Sequence, residues 1–150
     1  MATADQIYVD PSALACLYVH QHERSRQMVA WRAGVEGALT ITHHGRTEIT
    51  NALCRARFTG ELDDQGLEDA LSDFETEFAH GQLVQADILW RAALNRAAEL
   101  SRTHTPALGT RALDVLHVAC ALELKLRHFL TFDDRQRKLA AAAGLKIVKL

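Results

Sequence analysis

Gln6-Ile7-Tyr8-Val9-Asp10-Pro11-Ser12-Ala13-Leu14 changes its structural grammar in the middle. Ile7, Tyr8 and Val9 are β-branched or aromatic and read as a short strand from Gln6 to Val9. Pro11 directly behind Asp10 reads as a helix start, because the missing proline N–H is no loss in a first helical turn and an aspartate side chain can accept an orphan N–H there. The stretch is therefore a strand that feeds a helix, with a carboxylate at the joint. The same arrangement returns near the other end. His128 to Phe132 reads as a strand, Asp133 follows it, and a helix spans Arg135 to Ala143, with Gly144 as its stop and a last strand over Lys146 to Val148.

Between these ends the two periodicities alternate. Strands are expected at Leu39 to Thr42 and Leu83 to Gln85, and helices at Pro11 to Val19, Arg24 to Ala33, Gly45 to Phe58, Asp64 to Phe78, Ile88 to Thr103 and Ala112 to Lys125. Thr103 to Thr110, holding Pro106 and Gly109, reads as the main irregular loop. Strands separated by crossover helices require a parallel sheet covered on both faces. In such a sheet ligands gather beyond the carboxyl ends of the strands, where Asp10 and Asp133 stand.

The 150 residues fit one domain, residues 1–150, and the 48% hydrophobic and 24% charged content is ordinary for a globular chain. No apolar run reaches the ~18 residues of a membrane span, and the acidic start MATADQIYVD does not resemble a secretory signal. Cys16, Cys54 and Cys120 are odd in number and lack C-x-x-C spacing, which points to reduced thiols in the cytosol rather than to disulfides or zinc. With 17 Lys+Arg against 19 Asp+Glu, the net charge of −2 excludes coating of nucleic acid by bulk electrostatics, so any polyanion needs a local basic surface. Phosphate-binding loops, dinucleotide fingerprints, nucleophile elbows and H-E-x-x-H helices are absent from the sequence.

Single residues are ambiguous. Asp10 and Asp133 serve equally well as helix caps, Asp133 the more so because Gln136 three residues on completes a capping-box pattern. Glu48 borders the buried stripe Ile49, Ala52, Leu53 and Ala56, where a solvated helix face explains it alone. Asp114 resists a bland account. Its helix is apolar almost all round, so the carboxylate needs a cation, the helix N-terminus or His117 one turn on. Asp114-x-x-His117 has a spacing compatible with metal ligation, yet a histidine in an apolar helix is more often a hydrogen-bonded core residue.

Taken in order, Tyr8-Val9-Asp10-Pro11-Ser12-Ala13-Leu14, Glu48-Ile49-Thr50-Asn51-Ala52-Leu53, Leu113-Asp114-Val115-Leu116-His117-Val118-Ala119 and Phe129-Leu130-Thr131-Phe132-Asp133 resemble the PIN-domain family, and more narrowly the VapC toxins of bacterial toxin–antitoxin pairs. Each motif is weak, but the ordered set covers nearly the whole chain. The resemblance implies a three-layer α/β/α fold with a central parallel sheet of about five strands, and a Mg²⁺- or Mn²⁺-dependent endoribonuclease. It implies an acidic quartet of Asp10, Glu48, Asp114 and Asp133 that is both metal-binding and catalytic, with Ser12 and Thr131 as polar supports and His117 as a structural position. It also implies an RNA substrate, a VapB-like antitoxin and a homodimer, for which the helices at Arg24 to Ala33 and Asp64 to Phe78 offer amphipathic faces.

Arg46, Arg111 and Arg135 lie near the acidic motifs and are candidates for contact with RNA phosphates or antitoxin carboxylates, with surface ion pairs as the plainer reading. Asp134 competes with Asp133 for the last acidic place. Two other functions remain open at this level: a housekeeping PIN nuclease using the same site, and a PIN-like binding module without chemistry.

Overall fold

The computed structural model describes residues 2–20 and 23–150; Met1, at the head of the N-terminal reading above, lies outside them. Among the described residues five strands form: β1 (Ile7–Val9), β2 (Leu39–Thr42), β3 (Leu83–Ala86), β4 (His128–Leu130) and β5 (Lys146–Ile147). Seven α-helices among the described residues connect or follow them: α1 (Pro11–Ala15), α2 (Glu23–Ala33), α3 (His43–Phe58), α4 (Asp64–Ala79), α5 (Trp90–Leu108), α6 (Ala112–Glu123) and α7 (Asp134–Ala142).

Every strand pairing is parallel, as crossover helices demand. The hydrogen-bond ladders fall into two groups, β1-β4-β5 and β2-β3, with β1 packed beside β2 but not laddered to it. The expected central parallel sheet of five strands is thus present in two pieces. Its two faces are buried separately. On one side Leu14, Met28, Ile49, Leu53 and Phe74 form a core under α1 to α4, and on the other Val118, Phe129 and Leu139 pack under α5 to α7. Helices on both faces of the strands make the three-layer α/β/α architecture.

Register sets the site. Val9 pairs with Leu130, and the Asp10 N–H donates to the Leu130 carbonyl at 2.9 Å, so the carboxyl ends of β1 and β4 finish side by side. Asp10 and Asp133 therefore leave the sheet at the same edge.

Most element boundaries shift by one or two residues from the sequence reading, and three differ in ways that have a clear physical cause. The expected loop from Thr103 to Thr110 is the final stretch of α5, which runs to Leu108 with Pro106 in its last turn, where proline removes only one backbone hydrogen bond. Gly109, at φ +65°, ends it in the left-handed conformation glycine takes without strain. Helix α1 stops at Ala15 rather than Val19 and continues as turns. Strand β4 stops at Leu130 because the Thr131 hydroxyl turns to accept the Asp133 N–H at 3.0 Å.

Candidate active site

Asp10 is fixed by its neighbours. As the N-cap of α1 it accepts the Ser12 N–H on Oδ2 at 3.2 Å, and the Ser12 hydroxyl donates to the same oxygen. Its other oxygen accepts from Gln136 Nε2 at 3.1 Å. Ser12 thus stands beside Asp10 and lines the same cleft. Asp133 caps α7, accepting the Gln136 N–H on Oδ1 at 2.8 Å, while Thr131 holds the Asp133 backbone. Asp134, one residue on, is exposed and paired with Arg137 and Lys138.

Glu48 comes from α3 and Asp114 from the first turn of α6, and both line the same cleft of about 410 Å³ as Asp10 and Asp133. All four expected acids are brought together. Asp114 stands on the cleft wall rather than in the core, and Arg111 approaches it at 3.6 Å. Partial burial raises its carboxyl above the ordinary range, and the nearby Asp10 and Asp133 charges raise it further, against the lowering pull of Arg111 and His117. A carboxylate crowded by two others is a place where a cation gains by binding.

Glu48 is tied to a histidine. His117, buried on α6, meets Glu48 Oε2 through Nε2 at 2.5 Å and the Tyr8 hydroxyl through Nδ1 at 2.6 Å. Burial pushes the Tyr8 phenol well above its usual range, so its hydroxyl stays protonated beside Nδ1. This chain of bonds gives His117 a structural role and spends one oxygen of Glu48, while Oε1 has no protein partner among the described residues.

His44 stacks on His117 with ring centroids 4.6 Å apart and planes at 15°, so these two histidines and Glu48 form a group with ligand atoms within 4.8 Å of one another. The group does not make a metal centre as built. Imidazole lone pairs lie in the ring plane, and two nearly parallel rings aim them side by side instead of at one ion. Oxygen donors alone remain for a cation, and a set of carboxylates suits a hard ion such as Mg²⁺ or Mn²⁺.

The three arginines separate. Arg111 lines the acidic cleft; Arg135 lines an adjoining hollow with Asp114 and Asp133 and donates to the Gly109 carbonyl at 3.3 Å. Arg46 is turned elsewhere, bonded to Glu75 and to Gln85 and lying over the Phe78 ring.

Sequence reasoning missed Gln136, Asn51 and Arg55. Asn51 and Arg55 line the cleft three and seven residues after Glu48, a helical spacing that finds them once Glu48 is placed there. Gln136 was hidden by the capping-box pattern. In that motif its side chain would reach back to the Asp133 N–H, but Thr131 already fills that place, and the amide turns inward to Asp10 and to the Asp114 carbonyl at 3.2 Å.

Parallel strands under helices, with carboxylates at adjoining strand ends and on two facing helices, define an α/β domain carrying an oxygen-donor site. A model of the PIN domain family matches residues 7–142, and the chain belongs to that family. It is similar to ribonuclease VapC46 of Mycobacterium tuberculosis, with 30% identity over 144 residues, which make up 95% of each chain.

Proposed function

We propose that this chain is a Mg²⁺- or Mn²⁺-dependent endoribonuclease that acts as the toxin of a type II pair. The observation that carries the reading is the convergence of Asp10, Glu48, Asp114 and Asp133 on one cleft, with Arg111 at its side. Membership of the PIN domain family and the similarity to a ribonuclease support it. Asp10, Asp114, Asp133 and Glu48 would hold the cation. A divalent ion so held supplies Lewis acidity that favours ionised water and offsets charge on a phosphodiester.

The protein's own residues supply orientation. Ser12 and Gln136 fix the plane of the Asp10 carboxylate, the α7 cap fixes Asp133, and the Tyr8–His117 pair fixes Glu48. Groups held by packing and hydrogen bonds pay little reorganisation when substrate arrives. Arg111 and Arg55 place positive charge at the mouth of an otherwise acidic cleft, where an RNA phosphate needs it.

The partners follow from the same reading: a VapB-like antitoxin covering the cleft, and a second copy of the chain, for which the exposed Phe58, Leu89 and Leu94 provide apolar surface. No helix among the described residues is long and apolar enough to cross a membrane. Expression of the chain alone should arrest growth, and Asp114→Asn should abolish the arrest. Undiminished growth on expression of wild-type chain that cuts RNA in vitro would favour a processing nuclease over a toxin.

A further inference from the structure

Three of the four acids meet one residue that bears no charge. Gln136 stands in the first turn of α7 and is 0% exposed. Its backbone N–H donates to Asp133 Oδ1 at 2.8 Å, and its Nε2 donates to Asp10 Oδ1 at 3.1 Å and to the Asp114 carbonyl at 3.2 Å. A single residue of α7 thus ties its own cap to the end of β1 and to the first turn of α6. The sense of the amide is fixed by chemistry, because an ionised carboxylate and a backbone carbonyl only accept, so the NH₂ group must face both.

That orientation has a cost. Oε1 is left buried without a partner among the described residues, which offsets a large part of what the two side-chain bonds contribute. Stability alone accounts poorly for an amide in this place, and a buried acceptor left unsatisfied asks for another reason. The neighbouring charges supply one. Carboxylates that share a cleft repel one another, and without an opposing charge they spread apart or take up protons. A lysine or arginine at this position would draw them together but would cancel the negative field that attracts an ion. An amide donates without adding net charge, so it holds the acids in place and leaves their field intact. Gln136 does not line the cleft, so it touches no ligand there and acts through the residues it holds.

We infer that Gln136 is a positioning residue for the cation site, holding Asp10, Asp133 and the turn that carries Asp114 together before an ion binds, so that divalent affinity depends on it. This role rests on the proposed use of the cleft by a divalent ion, and it is measured without cleavage.

The test is Mn²⁺ binding by the full chain in the absence of RNA, followed by the loss of the free-ion electron paramagnetic resonance signal. Gln136→Leu and Gln136→Met should each weaken binding by about 10- to 100-fold, the usual effect of removing a partner that orients a metal ligand. Phe74→Leu is the destabilised control, since Phe74 is buried in the core under α1 to α4 and does not line the cleft. Its affinity should stay within about twofold of wild type, as expected for a distant, independent site. The rise in melting temperature on adding Mn²⁺ should shrink in both Gln136 variants and persist in Phe74→Leu. Wild-type affinity in a folded Gln136 variant, an equal loss in Phe74→Leu, or failure of both Gln136 variants to fold would each overturn the role, the last by making the residue purely structural.

The same titration separates this role from the nuclease reading. Wild-type chain that binds no Mn²⁺ sinks both. Binding that Gln136→Leu weakens, in a chain that cuts no RNA, sinks the nuclease reading and leaves the role standing. Metal-dependent cleavage with Mn²⁺ affinity unchanged in Gln136→Leu sinks the role alone.

Discussion

Replacing Gln136 by leucine removes a buried amide while keeping nearly the same volume, and the structure allows the cost to be worked out. Gln136 is 0% exposed, and its Nε2 donates to Asp10 Oδ1 at 3.1 Å and to the Asp114 carbonyl at 3.2 Å. A bond to a charged carboxylate contributes about 1.5–3 kcal/mol and one to a carbonyl about 0.5–1.5 kcal/mol. Against this, Oε1 is buried without a partner, and deleting it returns about 1–3 kcal/mol. At the middle of each range the balance is a destabilisation of about 1 kcal/mol, or roughly 2–4 °C in melting temperature for a chain of this size. Urea denaturation followed by the fluorescence of Trp31 and Trp90 measures it, with an unchanged slope showing that only stability moved. Gln136→Glu should cost more at neutral pH, because it sets an unpaired carboxylate against Asp10 in a buried place. A leucine variant as stable as wild type, or more so, would refute the claim that the amide holds the site together.

Other outcomes follow from particular contacts. Tyr8→Phe strips the hydroxyl partner from His117 Nδ1 and leaves a buried ring nitrogen unpaired, so chemical denaturation should show a loss of about 1–3 kcal/mol. His44 is pushed down to about 4 by burial and by His117, against the opposing pull of Glu48. Its neutral form is the folded one, so the stability it contributes is fully present above pH 6.5 and is lost as pH falls from there towards 4. A His44 ring that titrates near 6.5 by NMR in the folded protein would contradict this. Cys120 is buried and its thiol is pushed up to about 12, chiefly by that burial, whereas Cys54 is exposed. A thiol reagent at pH 8 should therefore modify Cys54 quickly and Cys120 only after unfolding.

The strand-to-helix joints at Asp10 and Asp133 were legible because proline, aspartate and β-branched residues act locally. What could not be read is what only register supplies. Asp10 and Asp133 were each explicable as caps, and they are caps; the parallel pairing of Val9 with Leu130 is what puts them at one edge. Asp114 was singled out for lacking a partner, and His117 was one of the candidates. In the folded chain His117 serves Glu48, sixty-nine residues away in sequence, and Asp114 faces Asp10 and Asp133 instead. Pro106 misleads because proline commonly ends a helix, whereas an exposed last turn tolerates it and Gly109 makes the actual stop. Arg46 sat close to Glu48 in sequence but turned to Glu75, since residues two apart on a helix do not share a face.

On the proposed function, the four carboxylates of one cleft bind a divalent ion that RNA cleavage requires. Cleavage of a defined RNA by wild-type chain, with and without Mg²⁺ or Mn²⁺, beside Asp114→Asn shown by its denaturation curve to be folded, measures it directly. Cleavage should occur only with added metal and be lost in the folded variant. Cleavage in the presence of a chelator, or at the wild-type rate with Asp114→Asn, would contradict it.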